Sequence, residues 1–221
     1  SLASYVWVAQ DESAGSLKAG ETYLAVAVIG GLVMLMGIFL LYSVTDTLMF
    51  RDLIGLYARY DTLPNTPGAI KMLWAAGICM LFGFGAKAGA FPLQIWLPKA
   101  HPVAPAPASA LLSGILTKTG IFGVLVISCQ ILLHDPMWGA FILGIGLITM
   151  FLGALLAVFS IDFKRTLACS SVSQIGFILV GVGMLVLLGE ENTLAVRGTF
   201  LHMVNHSLFK LILFLVAAVV Y

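Results

Sequence analysis

Long apolar runs alternate with short polar connectors along this chain. Six of the runs are long enough to cross a bilayer, because a helix rises about 1.5 Å per residue and roughly 20 residues span the hydrocarbon core. No run alternates with the two-residue period of a strand. The pattern therefore predicts an all-α, polytopic transmembrane helix bundle. Its full spans are expected at residues 23–42, 69–91, 107–130, 138–160, 166–188 and 196–221.

The remaining stretches have weaker patterns. Residues 1–9 form the apolar tail of one further span, and we interpret residues 10–22 as a polar loop. Residues 43–68 mix apolar with charged positions, which predicts a short interfacial helix. Because both ends lie inside apolar runs, we expect a single transmembrane domain over 1–221 that is an internal piece of a longer protein.

Composition agrees with a membrane location and limits the partners. The chain is 61% hydrophobic and 10% charged, whereas ordinary globular domains carry about 25% charged residues. A net charge of +1 says nothing about nucleic-acid or acidic partners, we expect no nucleic-acid partner for a membrane protein of this kind, and the cysteines lack the spacing of a metal site. Basic residues are equally frequent at the two predicted ends of the bundle, so they do not orient it. One end has Lys18, Lys99, Lys164 and Arg165, and the other has Arg51, Arg59, Lys71 and Arg197.

Lys87 lies deep in an apolar run, where a charged side chain costs roughly 2.5–3.5 kcal/mol on insertion scales. Glycines weaken the helix around it, and Pro92 lacks a backbone donor and clashes with the carbonyl of Ala88. We therefore predict a proline-broken helix around Lys87–Pro92, whose freed carbonyls could coordinate an ion or water. A plain kink with a snorkelling lysine is the alternative.

Lys118 lies closer still to the middle of a predicted span. Its helix is expected to start near Pro107, which places Lys118 roughly 16 Å along the axis. Burial disfavours the charged form of lysine, so a lysine at this depth can release and recapture a proton. The alternative is a structural lysine paired with an acid. Every Asp and Glu here is expected in a loop or at a span end, so that acid would lie outside this sequence.

The last span carries a polar stripe, because His202, His206 and Lys210 stand at i, i+4 and i+8. Histidine titrates near neutrality, so the stripe predicts a proton relay that faces the same wet interior as Lys118. Zinc or haem ligation by the two histidines, or a purely structural pair, are the alternatives. Helical spacing predicts that one side of the Lys118 helix faces that interior. That side contains Gly114, Ile115, Phe122 and Leu125.

A second polar patch, early in the fifth predicted span, indicates a hydrated channel mouth. The patch contains Ser170, Ser171, Ser173 and Gln174.

Three stretches of the chain carry a family resemblance: GAKAGAFPLQIWLPKAHPVAPAPASALLSGILTKTG, DFKRTLACSSVSQIGF and FLHMVNHSLFKLILF. In this order they resemble the antiporter-like subunits of respiratory complex I, membrane-bound hydrogenases and Mrp-type cation/proton antiporters. The resemblance implies that the chain runs from the end of the family's fifth helix to its eleventh. Lys87 would be the lysine of the broken seventh helix, and Lys118 the lysine of the eighth. The glutamate that pairs with Lys87 would precede Ser1.

The resemblance implies proton or cation/proton translocation, coupled to electron transfer in partner subunits or exchanged for sodium. The chain would be a non-redox subunit of a complex in a bacterial or archaeal cytoplasmic membrane. Its partners would be other membrane subunits, lipid, H⁺ and Na⁺, and we expect no cofactor because nothing obvious ligates one. Two rival interpretations are a quinone-binding or haem-binding membrane enzyme and a non-conducting scaffold.

Overall fold

A computed structural model describes residues 2–58, 68–189 and 193–220 of the chain. In these ranges the chain forms helices joined by short turns, and no strand. Two π-helical segments, Leu112–Leu116 and Ile127–Ile131, lie directly before and after the α-helix Thr117–Val126. The α-helices are α1 (Leu2–Val8), α2 (Ala14–Thr45), α3 (Phe50–Leu53), α4 (Ala69–Ala88), α5 (Trp96–Val103), α6 (Ala106–Leu111), α7 (Thr117–Val126), α8 (Pro136–Val158), α9 (Phe163–Leu188) and α10 (Thr193–Val220).

Within the described ranges, six helical segments are long and apolar enough to cross a membrane, with Ala106–Ile131 counted as one. This confirms the predicted all-α transmembrane bundle. The buried share of the most apolar window is 50% in α4 and 56% in both Ala106–Ile131 and α9, against 17–22% in α2, α8 and α10. The centre of the bundle is therefore formed by α4, Ala106–Ile131 and α9, and any buried polar site must be built mainly on these three segments.

Two predicted connectors differ from the structure. Residues 14–22, predicted as loop, belong to α2, because Ser13 caps its first turn by accepting the Ser16 N–H at 3.1 Å. Hydropathy marks where the membrane begins, whereas a cap marks where the helix begins, and α2 starts well before its apolar part. In the 43–68 stretch, α2 continues to Thr45, the one further α-helix among the described residues is the short α3, and residues 59–67 lie outside the described ranges.

The predicted broken helix is confirmed between α4 and α5. The chain leaves α4 at Gly89, whose φ of 80° is left-handed, and its N–H bonds the Gly85 carbonyl at 2.8 Å. Pro92 lies three residues beyond this cap, so the helix ends at the glycine rather than at the proline. The indole of Trp96 donates to the Ala86 carbonyl at 2.8 Å, which ties the start of α5 to the last turn of α4.

Candidate functional site

Lys118 is the second residue of α7, and its side chain is only 9% exposed. Its Nζ donates to the backbone carbonyl of Ser113 at 2.7 Å, and the Thr117 hydroxyl donates to the same carbonyl at 2.9 Å. Ser113 belongs to the π-helical segment that precedes α7. Single π turns inside α-helices are frequent at functional sites. A backbone carbonyl thus solvates this buried amine.

Lys210 of α10 is also buried, with 4% of its surface exposed. Its Nζ donates to the Leu167 carbonyl of α9 at 2.8 Å and to the hydroxyl of Ser170. Among the described residues, neither Lys118 nor Lys210 has a carboxylate within 4.0 Å. The alternative of an acid–lysine pair places the acid outside this sequence, so the described ranges do not test it.

A pair of hydroxyls lies between the two buried lysines. The Oγ atoms of Ser113 and Ser171 are 2.9 Å apart, and Ser171 also donates to the Leu167 carbonyl at 3.0 Å. That carbonyl is the one that accepts from Lys210. Neither serine is exposed. The hydrogen bonds of Ser113, Ser171 and the Leu167 carbonyl therefore lead from Lys118 to Lys210, with one gap between the carbonyl and the hydroxyl of Ser113, and we call this set the serine bridge.

The two histidines of the predicted stripe belong to α10 and lie beside the serine bridge. The rings of His202 and His206 are parallel, with centroids 6.3 Å apart. His206 is 4% exposed, and neither of its ring nitrogens has a protein hydrogen-bond partner among the described residues. It interacts electrostatically with Lys118 and Lys210. His206 and Lys210 of the predicted stripe are therefore buried, His206 within electrostatic range of Lys118, whereas His202 is partly exposed.

A cavity of about 250 Å³ runs along this stripe between α9 and α10. It is lined largely by polar side chains, and a water molecule needs only about 10–15 Å³ of such accessible space together with polar partners. The cavity can therefore hold a short file of water. Its polar lining residues are Ser170, Gln174, His202, Asn205, His206 and Lys210.

The predicted inward face of the Lys118 helix is wrong in part. Ile115 and Phe122 are 54% and 62% exposed, although Lys118 between them is buried. At about 100° per residue, positions i−3 and i+4 are rotated from Lys118 by roughly 40–60° in one direction, and i−4 and i+3 in the other. Gly114 and Ile121, on the second side, are buried. Lys118 therefore lies at the edge of the buried face and curls back into it.

Lys87, the penultimate residue of α4, is half-buried and lies outside the serine bridge. It lines a separate cavity of about 260 Å³ between α2 and α4, together with Tyr23, Trp96 and Thr119. The end of α4 packs very closely on α7, since a Cβ on Gly120 would lie 2.5 Å from the Ala88 nitrogen. Thr119 follows Lys118 directly in α7. The cavity that Lys87 lines therefore reaches the residue next to Lys118.

Sequence reasoning missed Ser113 and His101. His101 of α5 has no exposed surface, its ring stacks on Phe214 at 4.7 Å, and it interacts electrostatically with Lys118 and Lys210. Its ring nitrogens have no protein hydrogen-bond partner within the described part of the chain. Its only sequence signal is a histidine beside an apolar run. Ser113 has no sequence signal, because the carbonyl five residues before a lysine comes within reach of its amine only where a π turn adds one residue to the helix.

Comparisons with known proteins were consistent across sequence and structure. Residues 1–221 match the family described as NADH:quinone oxidoreductase/Mrp antiporter, transmembrane. The chain is 38% identical to hydrogenase-4 component B of Escherichia coli, over 100% of this chain and 32% of that protein. It is 32% identical to a Na(+)/H(+) antiporter subunit of Alkalihalophilus pseudofirmus, over 98% of this chain and 41% of that protein.

A solved structure of the Mrp complex from a Dietzia species contains a chain of the same fold. The TM-score is 0.82 at 27% identity, and the match covers 93% of this chain and 36% of the other. The chain thus spans roughly a third of the matched structure, and 32% and 41% of the two relatives.

Proposed function

This chain belongs to the NADH:quinone oxidoreductase/Mrp antiporter transmembrane family, and from that premise we propose that it carries the central part of a proton-translocation path. The observation that supports this most is the serine bridge between Lys118 and Lys210. Two buried lysines with no carboxylate within 4.0 Å among the described residues are costly, and a scaffold would gain nothing from them. Groups of this kind mark proton and ion paths in membrane proteins.

In the proposed path, a proton reaches Lys87 at the broken helix and passes to Lys118. The cavity at Lys87 and the adjacent Thr119 provide room and a polar group for this step. Because Lys118 bonds the Ser113 carbonyl and not its hydroxyl, a water or a rotation of the lysine completes the link to the serine bridge. A hydroxyl both donates and accepts, so each serine can take one proton and release another.

The Leu167 carbonyl that Ser171 and Lys210 share cannot relay a proton, so in the proposed path a water carries the proton from Ser171 to Lys210. From there the proton continues along the cavity that His206 and His202 line, through water and the imidazoles. Neutral imidazole has one donor and one acceptor nitrogen, so a ring that accepts a proton on one side can release one on the other. Both ring nitrogens of His206 are free of competing protein partners among the described residues.

The energy source follows from the kind of complex that holds the chain. We propose a subunit without redox groups of its own, assembled with other membrane subunits that carry out electron transfer. The similarity to hydrogenase-4 component B supports this choice. Sodium–proton exchange is the second candidate, because the sequence is also similar to a Na(+)/H(+) antiporter subunit. In either case the chain is an integral membrane protein, as its family and its six apolar helices show.

The test is Lys118→Met in the full-length subunit within its complex, reconstituted into vesicles with a pH-sensitive dye. Methionine keeps the length and apolar stem but cannot carry a proton. We expect the complex to assemble and proton transfer to fall sharply. Lys71→Met is the matched control, since Lys71 is exposed at the start of α4.

Wild-type proton transfer in Lys118→Met vesicles would favour the scaffold interpretation. Withdrawal of sodium separates the two candidates for the energy source. Proton movement that stops without sodium indicates exchange, and movement that continues with the electron donor indicates redox coupling.

A further inference from the structure

A basic cavity lies at the end of the bundle where α2 and α9 begin. Its volume is about 480 Å³, and three different helices contribute its charged side chains: Lys18 from α2, Lys99 from α5 and Arg165 from α9. These residues are far apart in sequence, and the break between α4 and α5 is what turns Lys99 towards the other two. The remaining lining residues are Gly15, Ala19, Pro98, Pro102 and Asp162.

The positive charge of this cavity is only partly neutralised by the described parts of the chain. Lys18, Lys99 and Arg165 have no carboxylate within 4.0 Å there. Asp162 is the single acidic lining residue, and its Oδ1 accepts the backbone N–H of Arg165 at 2.7 Å as the cap of α9. The lining therefore carries three positive charges and one negative charge, and the first turns of α2 and α9 add the partial positive charge of helix N-termini.

The position of the cavity relative to the membrane is set by its neighbours. α2 and α9 are both spanning helices, so their first turns lie at the level of the lipid headgroups. The turn that precedes α9 exposes large apolar side chains, with Phe159 at 76% and Ile161 fully exposed. Such side chains favour contact with acyl chains, and basic side chains beside them favour the phosphate layer.

We propose that this cavity binds the phosphodiester headgroup of an anionic phospholipid. Arg165 offers a planar fork that matches two phosphate oxygens, and the two lysines act as point charges on the same group. Basic pockets between transmembrane helices bind such headgroups in other membrane proteins. Because α5 is the second half of the broken helix that carries Lys87, lipid binding would also fix the position of that half against α2 and α9.

The experiment uses the full-length subunit in its complex, purified in detergent and stripped of lipid. Native mass spectrometry measures binding of phosphatidylglycerol, with zwitterionic phosphatidylcholine of the same chains as reference and inorganic phosphate as competitor. The test variant combines Lys18→Gln, Lys99→Gln and Arg165→Gln. The control removes the same charge at the opposite end, with Arg51→Gln, Lys71→Gln and Arg197→Gln.

Each basic residue near a membrane surface strengthens binding roughly fivefold, so the test variant should bind phosphatidylglycerol on the order of a hundredfold more weakly. The control should bind it as the wild type does, and neither should change binding of phosphatidylcholine. Should the test variant fail to assemble, added salt must weaken phosphatidylglycerol binding to the wild type while phosphatidylcholine binding stays constant. Equal loss in test and control variants, insensitivity to salt, or displacement of lipid by inorganic phosphate at constant ionic strength would overturn the proposal.

Discussion

The hydroxyl of Thr149 holds the break between α4 and α5 in place, and its removal should loosen this segment. Thr149 lies on α8 with no exposed surface. Its Oγ1 accepts the backbone N–H of Phe91 at 3.1 Å and donates to the Ile145 carbonyl at 2.7 Å. Thr149→Val removes the hydroxyl and preserves the shape, so the Phe91 N–H loses its acceptor.

The size of the effect follows from the surroundings of that N–H. A buried donor left unsatisfied costs about 1–3 kcal/mol. The neighbouring cavity of about 130 Å³ is lined by apolar side chains, so a replacement water would find few partners there. A loss of this size in the local opening free energy corresponds to roughly 5- to 150-fold faster amide exchange.

Hydrogen exchange of the peptide that contains residues 89–95 measures this directly, with the full-length subunit in nanodiscs. Thr149→Ser is the control, because it keeps the hydroxyl and loses one methyl group, and its exchange should stay close to that of the wild type. If Thr149→Val exchanges as slowly as the wild type, or if both variants exchange equally fast, the hydroxyl does not hold the break.

Two further predictions concern the serine bridge and the helix end. Ser113→Ala removes a hydroxyl from the middle of the bridge but keeps the carbonyl that binds Lys118, so the complex should assemble with slowed proton transfer in vesicles. Unchanged transfer would place the route elsewhere, and Ser160→Ala, half-buried in the turn after α8 and outside the bridge, is the control. Gly89→Ala adds a side chain at a residue with left-handed backbone and places its Cβ 1.9 Å from Leu97 Cδ1. The free energy of unfolding should therefore fall by about 1–3 kcal/mol. An unaltered denaturation midpoint would contradict the cap that the structure assigns to Gly89.

Much of the site was readable from the chain because membrane burial makes polar residues conspicuous. A lysine or a histidine pair in a long apolar run is costly wherever the helix lies, so Lys87, Lys118 and the His206 stripe could be named without a structure. Their roles stay predictions. The all-α bundle and the break after Lys87 were predictable for a similar reason, since helices satisfy backbone groups locally and glycine and proline interrupt them.

The tertiary structure determines which residues of distant helices come into contact, and helical periodicity cannot predict such contacts. Ser113 and Ser171 are 58 positions apart, and their contact depends on how α9 packs against the π-helical turn before α7. His101 is likewise buried through a contact between distant helices, because its ring in α5 stacks on Phe214 of α10. The sequence by itself determines which residues must leave lipid, because transfer free energy belongs to single side chains. Which partners they meet depends on close packing between distant helices, and only the folded bundle fixes that.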